Sequence, residues 1–324
     1  MRILLWHLHG SWMTAFVQGD HEYLVPVTPD RGEFGLGRAR TWDWPTSVRE
    51  VTPAQLRDEP IDLVVLQRPE ELELCRAWTG RAPGRELPAV YLEHNTPHGQ
   101  PHPLAGRSDI PLVHVTHFNQ VYWDNGQCPT TVIEHGVLDP GDRYVGSLER
   151  IAVVINDPAR RGREVGADLL PRFTDLAPID LFGLRASQYR APSVHPRDDL
   201  ETQEQMHDEL ARRRLYLHPV RWTSLGLSLI EAMLLGLPVV VLAATEVPEA
   251  IDPAAGVVST DLDRLHDGVR FYLNEPEAAR LAGKAARQAA LRRFGIDRFL
   301  ADWDRVLADT TGLASGPATG EEGS

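Results

Sequence analysis

Short, wholly apolar runs alternate along this chain with longer stretches in which apolar positions recur at helical spacing. Residues 2–9 (RILLWHLH), 22–27, 62–67 (DLVVLQ), 88–93 (PAVYLE) and 111–116 read as strands of a first half. Residues 151–155 (IAVVI), 179–183, 215–219 (LYLHP) and 239–243 repeat the pattern in a second. Runs apolar on both faces suit strands of a parallel sheet covered on both sides. Between them lie a short helical piece ending near Gln18, helices over 69–78, 201–213 and 228–235, and polar-faced helices over 276–294 and 297–307. Alternating strands and helices predict an α/β fold of two Rossmann-like domains facing across a cleft. The expected division is 1–145, 146–295, a last helix 296–311 returning to the first domain, and a disordered Gly/Ser/Ala/Glu tail 312–324. Residues 28–47, with Trp42 and Trp44, read as a surface loop, its tryptophans either buried or free to stack on sugar rings.

Composition narrows the function. With 33 basic and 46 acidic side chains, the net charge of −13 argues against nucleic acid or an anionic membrane as partner. Cys75 and Cys128 are far apart and lack metal-ligand spacing, which favours a reducing, cytoplasmic setting. No run reaches the ~20 apolar residues of a membrane span, so no integral membrane association is expected. Thirteen histidines make any single one a weak signal.

The most informative run is residues 218–251 (HPVRWTSLGLSLIEAMLLGLPVVVLAATEVPEAI). It reads as a loop through Ser224, Leu225 and Gly226, an apolar helix with one carboxylate, Glu231, a Gly-Leu-Pro stop and a buried strand. A loop meeting a helix N-terminus offers unpaired N–H groups and a positive dipole end to a phosphate. A carboxylate a turn deeper can take two ribose hydroxyls, so the run reads as a nucleotide diphosphate pocket. Arg160, Arg161 and Arg163, in a Gly-containing loop after residues 151–155, form either a clamp on the diphosphate or a solvated charge run. His94 and His117 stand at successive strand ends, where open α/β sheets place ligands. An imidazole there can donate to a sugar hydroxyl or a leaving phosphate. Gly10 and Ser11, after the first strand, are a plain turn or a ligand-facing one.

These residues resemble the C-terminal donor motif of retaining GT-B glycosyltransferases of the family 4 (glycosyl transferases group 1) type, E-x-F-G-x-x-x-x-E-A-x-x-x-G-x-P-V-V followed by G-G-x-P-E. Gly226, Glu231, Ala232, Gly236, Pro238, Val239, Val240, Pro248 and Glu249 match. Thr223 stands at the first glutamate, Leu225 at the Phe, and Thr245-Glu246 at the Gly-Gly. The resemblance is nearly continuous from about residue 151 to 307 and confined to strand ends before that. It implies metal-independent transfer of a sugar, with retention, from a nucleotide-diphosphate sugar to a small-molecule or glycan acceptor, with no other cofactor. It further implies that Glu231 holds the ribose and His94 the donor sugar. The N–H groups of Leu225, Gly226 and Leu227, with Ser224, Arg160, Arg161 and Arg163, would then face the diphosphate; Arg161 and Arg163 rank first among the arginines. Thr223, Gly10, Ser11, Thr245 and Glu246 are expected toward the sugar and acceptor, and Gly136 fits a family glycine, with His135 at its usual Asn. A nucleotide-sugar epimerase, an enzyme coupling non-sugar partners and an inactive nucleotide-sugar binder remain open on the same fold.

Overall fold

Apolar tetrads such as Leu63–Leu66, buried along its whole length, and Val239–Leu242, buried over its first three residues, become central strands because neither face can be left to water. The computed structural model describes residues 1–312. In the first half the order is β1 (Arg2–Leu5), α1 (Gly10–Phe16), β2 (Glu22–Pro26), β3 (Val48–Val51), β4 (Leu63–Leu66), α2 (Glu70–Thr79), β5 (Ala89–Glu93), β6 (Leu112–His114), α3 (His117–Tyr122) and β7 (Thr130–Val132). The second half runs β8 (Leu148–Val154), α4 (Pro158–Arg161), β9 (Ile179–Phe182), β10 (Val194–Arg197), α5 (Gln203–Ala211), β11 (Arg213–His218), α6 (Leu227–Leu234), β12 (Val239–Leu242), α7 (Val247–Ala250), β13 (Gly256–Ser259) and α8 (Leu262–Asn274). Two long helices follow, α9 (Pro276–Phe294) and α10 (Ile296–Thr311).

Two all-parallel sheets result, ordered β3-β2-β1-β4-β5-β6-β7 and β10-β9-β8-β11-β12-β13. In both, strand order reverses beside the first strand, between β1 and β4 and between β8 and β11. Open α/β sheets take their ligands at the carboxyl ends of the strands flanking such switch points. Helix α6 is held by Leu229, Ile230, Met233 and Leu234, all fully buried, each contributing roughly 1.5–3 kcal/mol on transfer from water. Helix α10 returns to the first domain. Its Phe299, Trp303 and Leu307 join the core of Trp12, Phe16 and Tyr23, with the Trp303 ring 5.0 Å from Phe16.

The first strand is shorter than its apolar run: it ends at Leu5, so His7 and His9 sit on the loop beyond it. After α4 the chain forms a six-residue 3₁₀ turn, Ala167–Arg172, in which Pro171 has no N–H to donate. Of the expected tail 312–324, only Gly312 is described; it caps α10 in the left-handed conformation. The rest lies outside the described residues.

Candidate active site

Both switch points open onto one cleft of about 1070 Å³. His7 and His9 line it from beyond β1, Asn156 and Asp157 from beyond β8, and His218 from the end of β11. The two domains touch directly across it. Ser224 Oγ donates to the His94 carbonyl at 3.0 Å, and Trp222 Nε1 to the Pro97 carbonyl at 3.1 Å. Behind the cleft, the Phe118 N–H donates to Glu246 Oε2 at 2.8 Å.

The N-terminus of α6 forms part of the wall. Its N-cap, Gly226, supplies no side-chain cap; the Leu229 N–H donates to the Gly226 carbonyl at 3.0 Å, while the N–H groups of Leu227 and Ser228 precede the first acceptor of the helix. Gly226 is required by its neighbour as well as by any ligand. A Cβ there would lie 2.7 Å from Cε1 of His218, whose buried ring has its pKa pushed down to about 4. Just over a turn into the helix, Glu231 is 4% exposed yet its carboxylate lines the cleft. Oε1 accepts from Ser11 Oγ at 2.7 Å and Oε2 from Gln203 Nε2 at 3.0 Å, with His207 Nε2 at 3.6 Å. The carboxylate therefore ties the first domain to α5 of the second.

Opposite α6, Arg160 and Arg161 line the cleft, while Arg163 lies outside it. Local carboxylates hold each of them: Arg160 pairs with Asp157 at 3.2 Å, Arg161 with Glu164, and Arg163 with Asp168 at 3.1 Å. Asp168 also takes Arg221 at 2.6 Å, which holds that pair on the outer surface. Arg185 is a further cleft guanidinium, paired with Asp157. The basic cluster is thus already counterbalanced, and a diphosphate would have to exchange with Asp157 or Glu164.

Three imidazoles crowd the other wall. The His9 ring lies 4.1 Å from that of His94, and His135 stacks on His94 at 6.4 Å. Burial pushes His94 well below the usual histidine range, His9 to about 4 and His135 to about 3; mutual proximity adds to this for His94 and His135, and Arg68 for His9. All three are neutral at pH 7. Gln67 fixes the proton on His94. Its Nε2 donates to the Trp6 carbonyl at 2.9 Å, so its Oε1 is the atom facing His94 Nε2 at 3.1 Å. A carbonyl only accepts, hence His94 carries its proton on Nε2 and keeps a lone pair on Nδ1. The strand end is braced from below, where Glu93 accepts from the Asn95 N–H at 2.6 Å and pairs with His102 at 3.1 Å.

The cleft brings together His94, Gly10, Ser11, Arg160, Arg161, Thr223, Ser224, Leu225, Gly226, Leu227 and Glu231. Arg163, Gly136, Thr245 and Glu246 are placed elsewhere. Gly136 lies against α10, where a Cβ would fall 2.3 Å from Phe299, so its glycine serves domain packing. Thr245 turns its hydroxyl back to the Ser224 carbonyl at 2.9 Å. Glu246 is buried against the Phe118 N–H and Arg293, which makes it a domain tie. Sequence reasoning missed Gln67, His9, Gln203 and Arg185. His9 shares the strand-end signal that pointed to His94, whereas Gln203 carries no sequence signal, since only folding brings α5 beside α6. Of the two loop tryptophans, Trp44 is buried and donates to Thr14 Oγ1 at 2.8 Å, while Trp42 is partly exposed in the cleft.

Residues 199–289 match the family model for glycosyl transferases group 1, a segment that contains all of α6 and Glu231. A search of the curated proteins finds no match. Among solved structures, sucrose-phosphate synthase from Thermosynechococcus elongatus is similar over 97% of this chain and 100% of its own, at 12% identity and TM-score 0.72. The fold is GT-B. HepE of Anabaena, in complex with UDP-glucose, aligns over 95% of this chain and 100% of its own, at 14% identity and TM-score 0.68. TarM aligns over 76% of this chain at 13% identity and TM-score 0.60, and the aligned part spans 54% of TarM. In GT-B terms, β1–β7 with α10 form the first domain and β8–β13 the second. Among the described residues no helix is long and apolar enough to cross a membrane.

Proposed function

We propose that this protein transfers a sugar from a nucleotide-diphosphate sugar to a hydroxyl acceptor, retaining the anomeric configuration and using no divalent ion. One observation carries the reading: Glu231 and the uncapped N-terminus of α6 open into the same cleft, opposite His94. The nucleoside would lie along the second domain with its ribose hydroxyls on Glu231. The diphosphate would meet the α6 N–H groups and Arg160 or Arg161. When the bond from the anomeric carbon to the diphosphate breaks, the electron pair leaves with the nucleotide. Prearranged donors stabilise that charge without reorganising. His94, neutral and protonated on Nε2, would accept from a sugar hydroxyl through Nδ1. Retention and independence from metal rest on the motif resemblance around Glu231. The complex of HepE with UDP-glucose makes UDP-sugars the first donors to test. The buried, free thiols of Cys75 and Cys128 suit a reducing cytoplasm.

The decisive assay follows UDP release from UDP-glucose and related donors with a panel of hydroxyl acceptors, with and without EDTA, and determines the product's anomer. Turnover that survives EDTA and gives the donor's own anomer is expected. A second reading, a nucleotide-sugar binder without turnover, is favoured by Thr223 at the first motif glutamate. Binding of UDP-sugar with no release under any acceptor would select it.

A further inference from the structure

The two walls of the cleft differ in charge. Among the described residues, every Arg, Asp and Glu that lines it falls between Asp157 and Glu231, on the second domain. The first domain contributes His7, His9, Thr41, Trp42, His94 and their neighbours, with no charged residue among them. Its imidazoles do not supply positive charge either, since burial holds His7, His9 and His94 below their ordinary range. Two cations sit behind this wall and do not line the cleft: Arg68, bonded to Glu71 at 2.8 Å and lying 4.1 Å over the Phe34 ring, and Arg298, which donates to the His135 carbonyl at 2.7 Å. Trp42 is the exception to the polarity of the wall. Its indole lies over the start of α1, where a Cβ on Gly10 would be 3.0 Å from Nε1, and it is still partly open to the cleft.

A ligand bridging the two walls therefore meets charge at one end only. The charged end matches a diphosphate. At the other, a phosphate or carboxylate would lose its water with no cation to replace it, beside the carboxylate of Glu231. Imidazole nitrogens, the Thr41 hydroxyl and an aromatic face instead suit a polyhydroxyl ring, whose hydroxyls both donate and accept and whose C–H face packs on indole. We propose that the first-domain wall is an acceptor subsite for an uncharged, ring-bearing polyol, a sugar or neutral glycoside packed on Trp42, and that it discriminates against phosphorylated or carboxylated acceptors. The proposal rests on the transferase reading above, and takes the acceptor's chemical class from the wall itself.

The test uses the full chain saturated with UDP, its binding established first by calorimetry. Absence of binding by UDP, GDP, ADP and dTDP alike would sink the transferase reading and is read separately. Saturation-transfer NMR on the UDP complex, and UDP-release assays with UDP-glucose as donor and no added UDP, then compare glucose, xylose and methyl α-D-glucopyranoside with glucose 6-phosphate and glucuronic acid. The neutral compounds are expected to bind and to accelerate release at least about tenfold over the anionic ones. Trp42→Ala should raise KM for the neutral acceptor by about tenfold, while Trp42→Phe, keeping an aromatic face, recovers most of it. Retained UDP affinity in Trp42→Ala would show that the variant is folded. Equal or better use of glucose 6-phosphate, no signal from any neutral compound, or an unchanged KM in Trp42→Ala would each overturn the proposal.

Discussion

Ser11 and Glu231, 220 residues apart, meet across the cleft at 2.7 Å, the hydroxyl donating to Oε1. The serine thereby occupies the carboxylate assigned to a ribose, and a nucleotide must displace it or share the oxygen. Ser11→Ala is expected to tighten UDP binding by up to about tenfold, because hydrogen bonds to charged groups contribute about 1.5 kcal/mol or more. The ligand-free protein should lose roughly 1–3 kcal/mol, since a buried oxygen is left unpaired. Calorimetric titration with UDP and urea denaturation check the two effects. Weaker UDP binding in Ser11→Ala would show that the serine assists the nucleotide and does not compete with it.

Gly226 and His218 form a packing pair. Gly226→Ala places a methyl 2.7 Å from a buried ring that has little room to move, and overpacking of this kind costs roughly 1–3 kcal/mol. In Gly226→Ala/His218→Ala the clash is gone, so the double variant should be less destabilised than the sum of the two single ones. Additive losses in urea denaturation would show that the glycine is needed for its backbone alone.

Gln67 sets the His94 tautomer. In ¹⁵N NMR of histidine-labelled protein, His94 should show its proton on Nε2, and Gln67→Leu should release that preference. Gln67→Glu keeps an acceptor at Nε2, preserves the tautomer and raises the His94 pKa by adding a negative neighbour. If His94 carries its proton on Nδ1 in the wild type, the assignment of its lone pair fails.

Buried histidines make stability sensitive to mild acid. His9, His114 and His218 are pushed to about 4, His135 to about 3, and His94 well below its ordinary value, in each case chiefly by burial. Unfolded, they titrate near 6.5, so between pH 6.5 and about 4 the unfolded chain binds more protons. Stability is full above pH 6.5 and falls as pH drops through that window, each histidine contributing up to about 1.4 kcal/mol per pH unit. Urea midpoints from pH 7.5 to 4.5 should decline steadily below 6.5. A flat profile down to pH 5 would mean that these rings protonate in the folded state.

The fold was legible in the sequence where burial is two-sided. Strands β4 and β12 are apolar throughout, and β5, β8 and β11 each hold an apolar run (AVYL, IAVV, LYL), because both faces of the sheet are covered there. Edge strands are not: β3 (VREV), β10 (VHPR) and β13 (GVVS) border the sheets, keep partly exposed positions and escape the apolar-run signal. In the site, the α6 segment was readable because loop, helix and stop are contiguous. Gln203 reaches the cleft, and Gln67 reaches His94 behind it, only through packing of elements distant in sequence. The arginines illustrate another limit: their clustering is visible in the chain, but pairing with Asp157, Glu164 and Asp168, which decides where each points, is not.

The most direct measurement is calorimetric titration of UDP, GDP, ADP and dTDP into the wild-type protein and Glu231→Ala. One nucleotide is expected to bind the wild type and to lose at least about tenfold in affinity in the variant, because two ribose hydroxyls lose a charged acceptor. Equal affinity in both proteins, or no binding to the wild type by any of the four, would contradict the assignment of this cleft to a nucleotide diphosphate.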